Sequence, residues 1–209
     1  MHHREIYGTV SRVIGDRASR GGFRMMDLGC GNARCVAPIL QRHPPASYQG
    51  VDLSETALAE ASELLSGIDG VELRCGDLLE HAETKSDDWH VVFSGFAVHH
   101  LPGDEKARLF RALARLVTPG GFFLMVDVVR EEGASREEHV ASYTAMMRRE
   151  WHGIPAEAIE EGCAHVSAYD FPATASELLE AARGAGFHDA AELGRHGRHG
   201  IYLFSKNRC

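Results

Sequence analysis

Two aspartates in this chain lie where predicted strands end, and the first is followed by a glycine-rich turn. Asp27 closes an apolar stretch and precedes Leu28, Gly29, Cys30 and Gly31, while Asp52 closes a second such stretch. An acid after the second strand of a βαβ unit can accept both hydroxyl groups of a ribose. Glycine lets a ligand approach backbone that a Cβ atom would cover. These residues predict a site for a nucleoside-containing cofactor across the strand ends.

The elements that would position these residues follow from the hydrophobic pattern. Apolar stretches of strand length alternate with segments of helical periodicity, which favours a parallel sheet with helices on both faces. We place strands at about 23–28, 47–51, 71–75, 89–94, 122–128, 189–193 and 200–205. The rhythm breaks over about 130–171, where Ser135-x-x-Glu138 has the form of a helix capping box. We interpret this stretch as a helical cap inserted over the cofactor cleft.

The bulk composition indicates one domain over residues 1–209. Hydrophobic residues make up 44% and charged residues 25% of the chain, as in ordinary globular proteins. A net charge of −8 argues against broad contact with nucleic acid, which needs a basic surface. The sequence has no apolar run of membrane-spanning length, and its polar start has no signal-peptide core, so we expect a cytoplasmic protein. The five cysteines contain no C-x-x-C pair and predict reduced thiols.

Five segments of the chain, in order, resemble the motifs of the class I S-adenosylmethionine (SAM)-dependent methyltransferases. They are Asp27 to Gly31, Val51-Asp52-Leu53-Ser54, Cys75-Gly76-Asp77-Leu78, Val91-Val92-Phe93-Ser94 and Leu116-Val117-Thr118-Pro119-Gly120-Gly121. The resemblance implies an α/β fold with a Rossmann-like seven-stranded mixed sheet, its last strand antiparallel, and helices on both faces. It also implies SAM as cofactor and S-adenosylhomocysteine as product.

The resemblance implies roles for eleven residues in holding SAM. The backbone of Gly29, Cys30 and Gly31 would pass beneath the amino-acid end and the ribose. Asp52 would accept the ribose hydroxyls, and Asp77 the adenine amino group. Leu53 and Leu78 would pack on the adenine, Phe93, Ser94 and Gly95 would lie next to the methyl group, and Asp27 would tune the loop or reach the methionine ammonium through water.

Three histidines are candidate general bases, because a histidine near its ordinary pKa can accept a proton from an attacking hydroxyl or amine. His99 and His100 follow the fourth predicted strand, and His165 lies in the predicted cap. The alternative for the first two is structural, with His100 packed under the next helix and His99 facing solvent. The spacing of His196 and His199 could suggest two metal ligands. Because no third ligand is evident, we predict a hairpin loop there instead.

The activity that follows from the resemblance is methyl transfer to a hydroxyl, carboxylate or amine of a small molecule, because a covered cleft excludes bulky chains. We expect no bound metal. Metal-assisted relatives carry acidic residues at the ends of the fourth and fifth strands, and only Asp127 lies near such a position. One rival is an NAD(P)-dependent oxidoreductase, against which Arg34 occupies the third glycine position of the dinucleotide motif. The other is a SAM-binding sensor or scaffold without turnover. The sequence does not indicate the acceptor's identity or the oligomeric state.

Overall fold

The computed structural model describes residues 2–85 and 88–207, which are built around a seven-stranded sheet. Its strands are β1 (Arg24–Leu28), β2 (Ser47–Asp52), β3 (Val71–Cys75), β4 (Trp89–Gly95), β5 (Val117–Val128), β6 (Asp189–His196) and β7 (His199–Ser205). They lie in the order β3-β2-β1-β4-β5-β7-β6, and the first five pair in parallel. Strand β7 is antiparallel to both β5 and β6, which confirms the predicted mixed sheet.

Eight helices accompany the sheet in the described part of the chain. They are α1 (His3–Ala18), α2 (Ala37–Arg42), α3 (Glu55–Leu65), α4 (Leu78–Thr84), α5 (Gly103–Leu116), α6 (Arg136–Glu150), α7 (Ala156–Tyr169) and α8 (Ala175–Ala185), with a 3-10 turn at Val98–His100. The sequence analysis missed α1, although Ile6, Val10, Val13 and Ile14 are buried at helical spacing. Among the described residues, no helix combines the length and apolarity that crossing a membrane requires.

Both faces of the sheet are covered, because successive residues of a strand point to opposite sides. Met26 and Val92 pack in an apolar layer with residues of α5 and α8. Met25 and Val91 pack in a second layer with residues of α1 and α2. Strands buried on both faces are rich in apolar residues.

Helices α6 and α7 occupy the segment that breaks the strand–helix rhythm. The Ser135 hydroxyl accepts from the amide of Glu138 (3.1 Å), whose carboxylate accepts from the Ser135 amide (2.7 Å), so the predicted capping box is present. The two helices pack through a third apolar cluster that includes Tyr143, Met147 and Cys163. The cluster gives α6 and α7 a small core of their own beside the main sheet.

The remaining predictions about turns and thiols have clear outcomes. The stretch from His196 to His199 is the hairpin turn between β6 and β7, as predicted. The four described cysteines, Cys30, Cys35, Cys75 and Cys163, are free, whereas Cys209 lies outside the described residues.

Candidate active site at the carboxyl edge of the sheet

A cleft of about 740 Å³ opens at the carboxyl ends of β1, β2 and β4. Pockets of this size hold metabolite-sized ligands. The structure brings ten of the eleven predicted cofactor-binding residues to its lining, together with His100 and His165. These ten are Asp27, Gly29, Cys30, Gly31, Asp52, Leu53, Asp77, Leu78, Phe93 and Gly95.

The two glycines after β1 differ in why they must be glycine. Both have positive φ, +75° at Gly29 and +52° at Gly31. A Cβ atom on Gly29 would lie 2.3 Å from the Cβ of Ala97, whereas one on Gly31 would meet nothing within 4 Å. Gly29 therefore permits close packing inside the protein, and Gly31 leaves open space above the backbone for a ligand.

The carboxylate of Asp52 ties the loop after β1 to the end of β2. Its Oδ2 accepts from the amide of Gly31 (2.8 Å) and its Oδ1 from the amide of Ser54 (2.9 Å). Because each carboxylate oxygen has a second lone pair, both retain acceptor capacity. Beside it, the side chain of Leu53 is 70% exposed and lines the cleft.

Asp77 has a structural role that the sequence analysis did not assign. It is the N-cap of α4, and its Oδ1 accepts from the amides of Leu79 (2.8 Å) and Glu80 (2.9 Å). An N-cap aspartate satisfies amides that have no partner within the helix. Asp77 also lines the cleft.

Asp27 is a carboxyl group buried beneath the cleft, with an exposed fraction of 2%. The Tyr48 hydroxyl donates to its Oδ2 (2.8 Å), and Oδ1 has no hydrogen-bond partner within the described part of the chain. The pKa of Asp27 is raised to about 7, because the effect of burial outweighs that of the hydrogen bond from Tyr48 and the nearby charge of Asp52 adds to the rise. A buried acceptor without a partner is costly, so this oxygen suits a cationic donor from a ligand.

We expect Asp27→Asn to change how stability depends on pH. The unfolded aspartate ionises near its ordinary pKa of 3.8, while the folded one keeps its proton up to about pH 7. Between these values, rising pH lowers the free energy of unfolding of the wild type, by up to about 4 kcal/mol. Asparagine has no proton to lose, so urea unfolding should show the variant gaining relative stability between about pH 4 and about pH 8. If the free energies of unfolding of variant and wild type differed by the same amount at both pH values, this prediction would be wrong.

Ser94 departs from its predicted place next to the reacting group. Its side chain is fully buried, and its hydroxyl donates to the carbonyl of Leu28 (2.7 Å), which joins β4 to β1. Its neighbours Phe93 and Gly95 line the cleft, and alternation along a strand turns the residue between them away.

The predicted surroundings of His99 and His100 are reversed in the structure. His99 is buried and does not line the cleft, and its Nδ1 lies 2.5 Å from Oδ1 of Asp127. His100 is exposed and lines the cleft, as does His165, whose ring centroid lies 5.5 Å from that of His100. The reason is the 3-10 turn at Val98–His100, in which successive side chains point in different directions.

Asp170, which the sequence analysis missed, lies between the two histidines. Its Oδ1 is 3.3 Å from Nδ1 of His100, and its Oδ2 is 3.8 Å from Nε2 of His99. The interaction with Asp170 raises the pKa of His100, while partial burial opposes this. The hydrogen bond of His100 Nδ1 goes to the carbonyl of Tyr169 (3.3 Å), so Nε2 is the ring nitrogen available to a ligand in the cleft.

Tyr7 is brought to the cleft by helix α1. A Cβ atom on Gly95 would lie 3.1 Å from the Tyr7 hydroxyl, so this tyrosine closes over the end of β4. Burial raises the pKa of Tyr7, so its hydroxyl stays protonated. Other lining residues that the sequence analysis left unassigned to the site include Glu105, Tyr169 and Phe171.

A family model described as a methyltransferase domain matches residues 25–121, which run from β1 into β5 and include the strand ends that build the cleft. The matched segment, which is just under half of the chain, supports the resemblance to the class I SAM-dependent methyltransferases. This match agrees with the strand order and with the antiparallel last strand. SAM is the cofactor of this family.

Two curated methyltransferases illustrate the relationship. The chain is 28% identical over 143 residues to a trans-aconitate 2-methyltransferase of Acidovorax sp. (strain JS42), covering 68% of this chain and 52% of that protein. It is 32% identical over 123 residues to a ubiquinone biosynthesis O-methyltransferase of Pseudomonas aeruginosa (strain LESB58), covering 58% and 51%. The chain thus spans about half the length of these relatives.

A solved structure supports the fold of this chain beyond the matched segment. An O-methyltransferase family protein from Burkholderia thailandensis superposes with a TM-score of 0.70 and 19% identity, over 96% of this chain and 56% of that one. At this identity the likeness concerns the fold, which includes the later helices and the final hairpin.

The residues in the cleft of this chain fit SAM in three respects. Oδ1 of Asp27 is a buried acceptor without a partner among the described residues, as an ammonium group requires. The space above Gly31 is open to a ribose and an amino-acid chain. The exposed Leu53 offers an apolar surface of the kind that an adenine ring needs.

Proposed function

We propose that this chain transfers the methyl group of SAM to a hydroxyl, carboxylate or amine of a small molecule. The observation that carries the proposal is one cleft lined by two chemically different sets of residues. Asp52 and the glycine loop follow β2 and β1 and form the first set, while His100 and His165, from the turn after β4 and from α7, form the second. A cofactor held by the first set would direct its reactive group toward the second, so we call these the cofactor end and the acceptor end of the cleft.

Each residue at the cofactor end of the cleft has a role in holding SAM. Asp52 accepts the ribose hydroxyls with the free lone pairs of its oxygens, and Oδ2 of Asp77 accepts from the adenine amino group. Leu53 and Leu78 pack against the adenine. The backbone of residues 29–31 lies beneath the ribose and the amino-acid chain, and Asp27 receives the ammonium group, while Phe93 and Gly95 border the place of transfer.

Catalysis at the other end depends mainly on position. Bound SAM supplies a methyl group already activated by its sulfonium, so the protein must align the acceptor and exclude water. His100 accepts the acceptor's proton at Nε2, because its Nδ1 faces Asp170. His165 and the rings of Tyr169 and Phe171 border the same space and limit the access of water. His99 acts behind His100 without touching the acceptor.

A small acceptor is favoured by the cover over the cleft. Helix α7 contributes His165 and Tyr169 to the lining, so residues of about 130–171 act as a cap within a single domain of residues 1–209. The net charge of −8 opposes nucleic acid as substrate. Both curated relatives carry names that refer to small molecules. We also propose a cytoplasmic location, which the free described cysteines support.

The proposal is tested in two steps. Calorimetry should show binding of SAM and S-adenosylhomocysteine but not of NAD; the opposite preference would favour an oxidoreductase. Thermal-shift screening of metabolites with S-adenosylhomocysteine present should then identify acceptors, because ligands of the native state raise its Tm. Labelled SAM should methylate those acceptors. Binding of SAM without transfer to any acceptor in a cell extract would favour a sensor.

Asp52→Ala should weaken the binding of S-adenosylhomocysteine about 10- to 100-fold, since it removes charge-assisted hydrogen bonds to the ribose. Because Asp52 also holds the amide of Gly31, a loss alone could reflect a disordered loop. The control is the 2′,3′-dideoxy analogue of the same ligand. The wild type should bind the analogue more weakly than the parent, and the variant should bind both equally. Retained discrimination in the variant would exclude the ribose role.

A further inference from the structure

Residues 170–172 form a segment that separates the cleft from a second cavity of about 390 Å³. The ring of Phe171 lines both cavities. The segment follows α7 and carries Asp170 at its start. Its position therefore sets where the Asp170 carboxylate meets the two histidines. The inference below rests on the proposed function and concerns how that position is fixed.

Three cationic side chains from separate parts of the fold each donate to one carbonyl of this segment. Arg136, in α6, donates through Nε to the carbonyl of Asp170 (2.7 Å). Lys106, in α5, donates through Nζ to that of Phe171 (2.5 Å). Arg130, after β5, donates through Nε to that of Pro172 (3.1 Å). Three successive carbonyls are thus held from α5, from α6 and from the stretch after β5.

Backbone hydrogen bonds also hold the segment and the residue after it. The amide of Phe171 donates to the carbonyl of His99 (2.7 Å), and the amide of Arg130 donates to the carbonyl of Ala173 (2.9 Å). The guanidinium of Arg136 also lies over the Phe171 ring, 4.5 Å from its centroid. The segment is consequently joined directly to the 3-10 turn that carries the histidines.

Lys106 shows that this anchoring is specific rather than incidental. It is 5% exposed, its ammonium also donates to the carbonyl of Leu101, and burial lowers its pKa to about 8. A buried ammonium is costly unless its donors are satisfied. Here its two partners are both backbone carbonyls, one of them in the segment.

We propose that Arg136, Lys106 and Arg130 are positioning residues that hold Asp170 against His100, and so fix the ring orientation and basicity of His100. The charged and titratable groups around that ring are Asp170 itself, His99 and Asp127 behind it, and His165 and Glu105 along the cleft. Asp170 is the one carboxylate among them whose place the three cations determine.

The test compares Arg136→Met with Arg148→Met. Both arginines lie on α6, but Arg148 makes only an exposed pair with Glu160 among its described contacts. Arg136→Met should lower kcat about 10- to 100-fold, because small displacements of a catalytic group are costly. Binding of S-adenosylhomocysteine should be unchanged in both variants, and kcat should be unchanged in the control.

The decisive readouts are the pH dependence of kcat/KM and the NMR titration of His100, whose signal is assigned with His100→Gln. In Arg136→Met and in Asp170→Asn, the rising limb of the profile and the His100 titration should both move to lower pH, since the anion that favours the protonated ring is displaced or removed. If kcat fell while both the rising limb of the pH profile and the His100 titration stayed in place, the proposal would be overturned. The NMR readout needs no turnover, so it decides this proposal even if no acceptor is ever methylated.

A metal site is the specific rival. Atoms of His99, His100 and Asp170 that could ligate a metal lie within 4.8 Å of one another. Calorimetry with Zn²⁺ alone should show no binding that depends on Asp170. Tight binding of Zn²⁺ that Asp170→Asn abolishes would overturn the positioning role, because a metal on Nδ1 of His100 would replace the carboxylate as its partner.

Discussion

Replacing His100 with glutamine should lower kcat about 10²- to 10⁴-fold for a hydroxyl or amine acceptor, the range typical of a lost general base. The expectation follows from a ring that lines the cleft while its Nδ1 faces a buried carboxylate. Because Asp170 raises the pKa of His100, the wild-type rate should rise with pH as the ring loses its proton, and the variant should lose that limb. Steady-state rates across the pH range, with an acceptor from the metabolite screen, measure both effects.

His188→Gln is the matched control for this substitution. His188 is exposed, lies beside β6, and pairs with Asp189 at 3.2 Å, outside the lining of the cleft. The kcat of His188→Gln should equal that of the wild type. If His100→Gln retains the wild-type rate and its pH profile stays flat, His100 is not a base. That outcome would favour a carboxylate acceptor, which is already ionised and needs no proton acceptor.

The fold was predictable because the signals that define it are local. Strand-length apolar stretches and the capping box that opens α6 each depend on a few neighbouring residues. Ser135 makes the reciprocal bonds that its sequence predicts. The missed helix α1 also had a local signal, the spacing of its buried residues, but its polar start concealed it.

Only part of the candidate site could be predicted by the same reasoning. Asp52 and the glycine loop meet because carboxyl ends of parallel strands share an edge, which topology alone requires. Asp170 meets His100 across 70 positions of sequence, and Lys106 bonds to Phe171 across 65. Nothing local encodes such contacts. The order of His99 and His100 was reversed because it depends on the rotation of one 3-10 turn.

Gly29→Ala is expected to have the largest effect on stability of any single methyl group added to the cleft. Its φ of +75° is unfavourable for alanine, and the new Cβ would lie 2.3 Å from the Cβ of Ala97. Backbone strain of about 1–2 kcal/mol adds to an overpacking cost of about 1–3 kcal/mol. Urea unfolding should therefore show a loss of roughly 2–5 kcal/mol, with binding of S-adenosylhomocysteine weakened in parallel.

The two contributions can be separated because only one of them depends on Ala97. In the Gly29→Ala/Ala97→Gly double variant, the clash is removed and the strain at residue 29 remains, so about half of the lost stability should return. The matched comparison is Gly31→Ala, which has a positive φ but no atom within 4 Å of the added Cβ. It should cost only the backbone strain, yet still weaken binding, because its methyl group would occupy space proposed for the cofactor. If Gly29→Ala and Gly31→Ala were equally stable, steric packing against Ala97 would not be the reason for glycine at position 29.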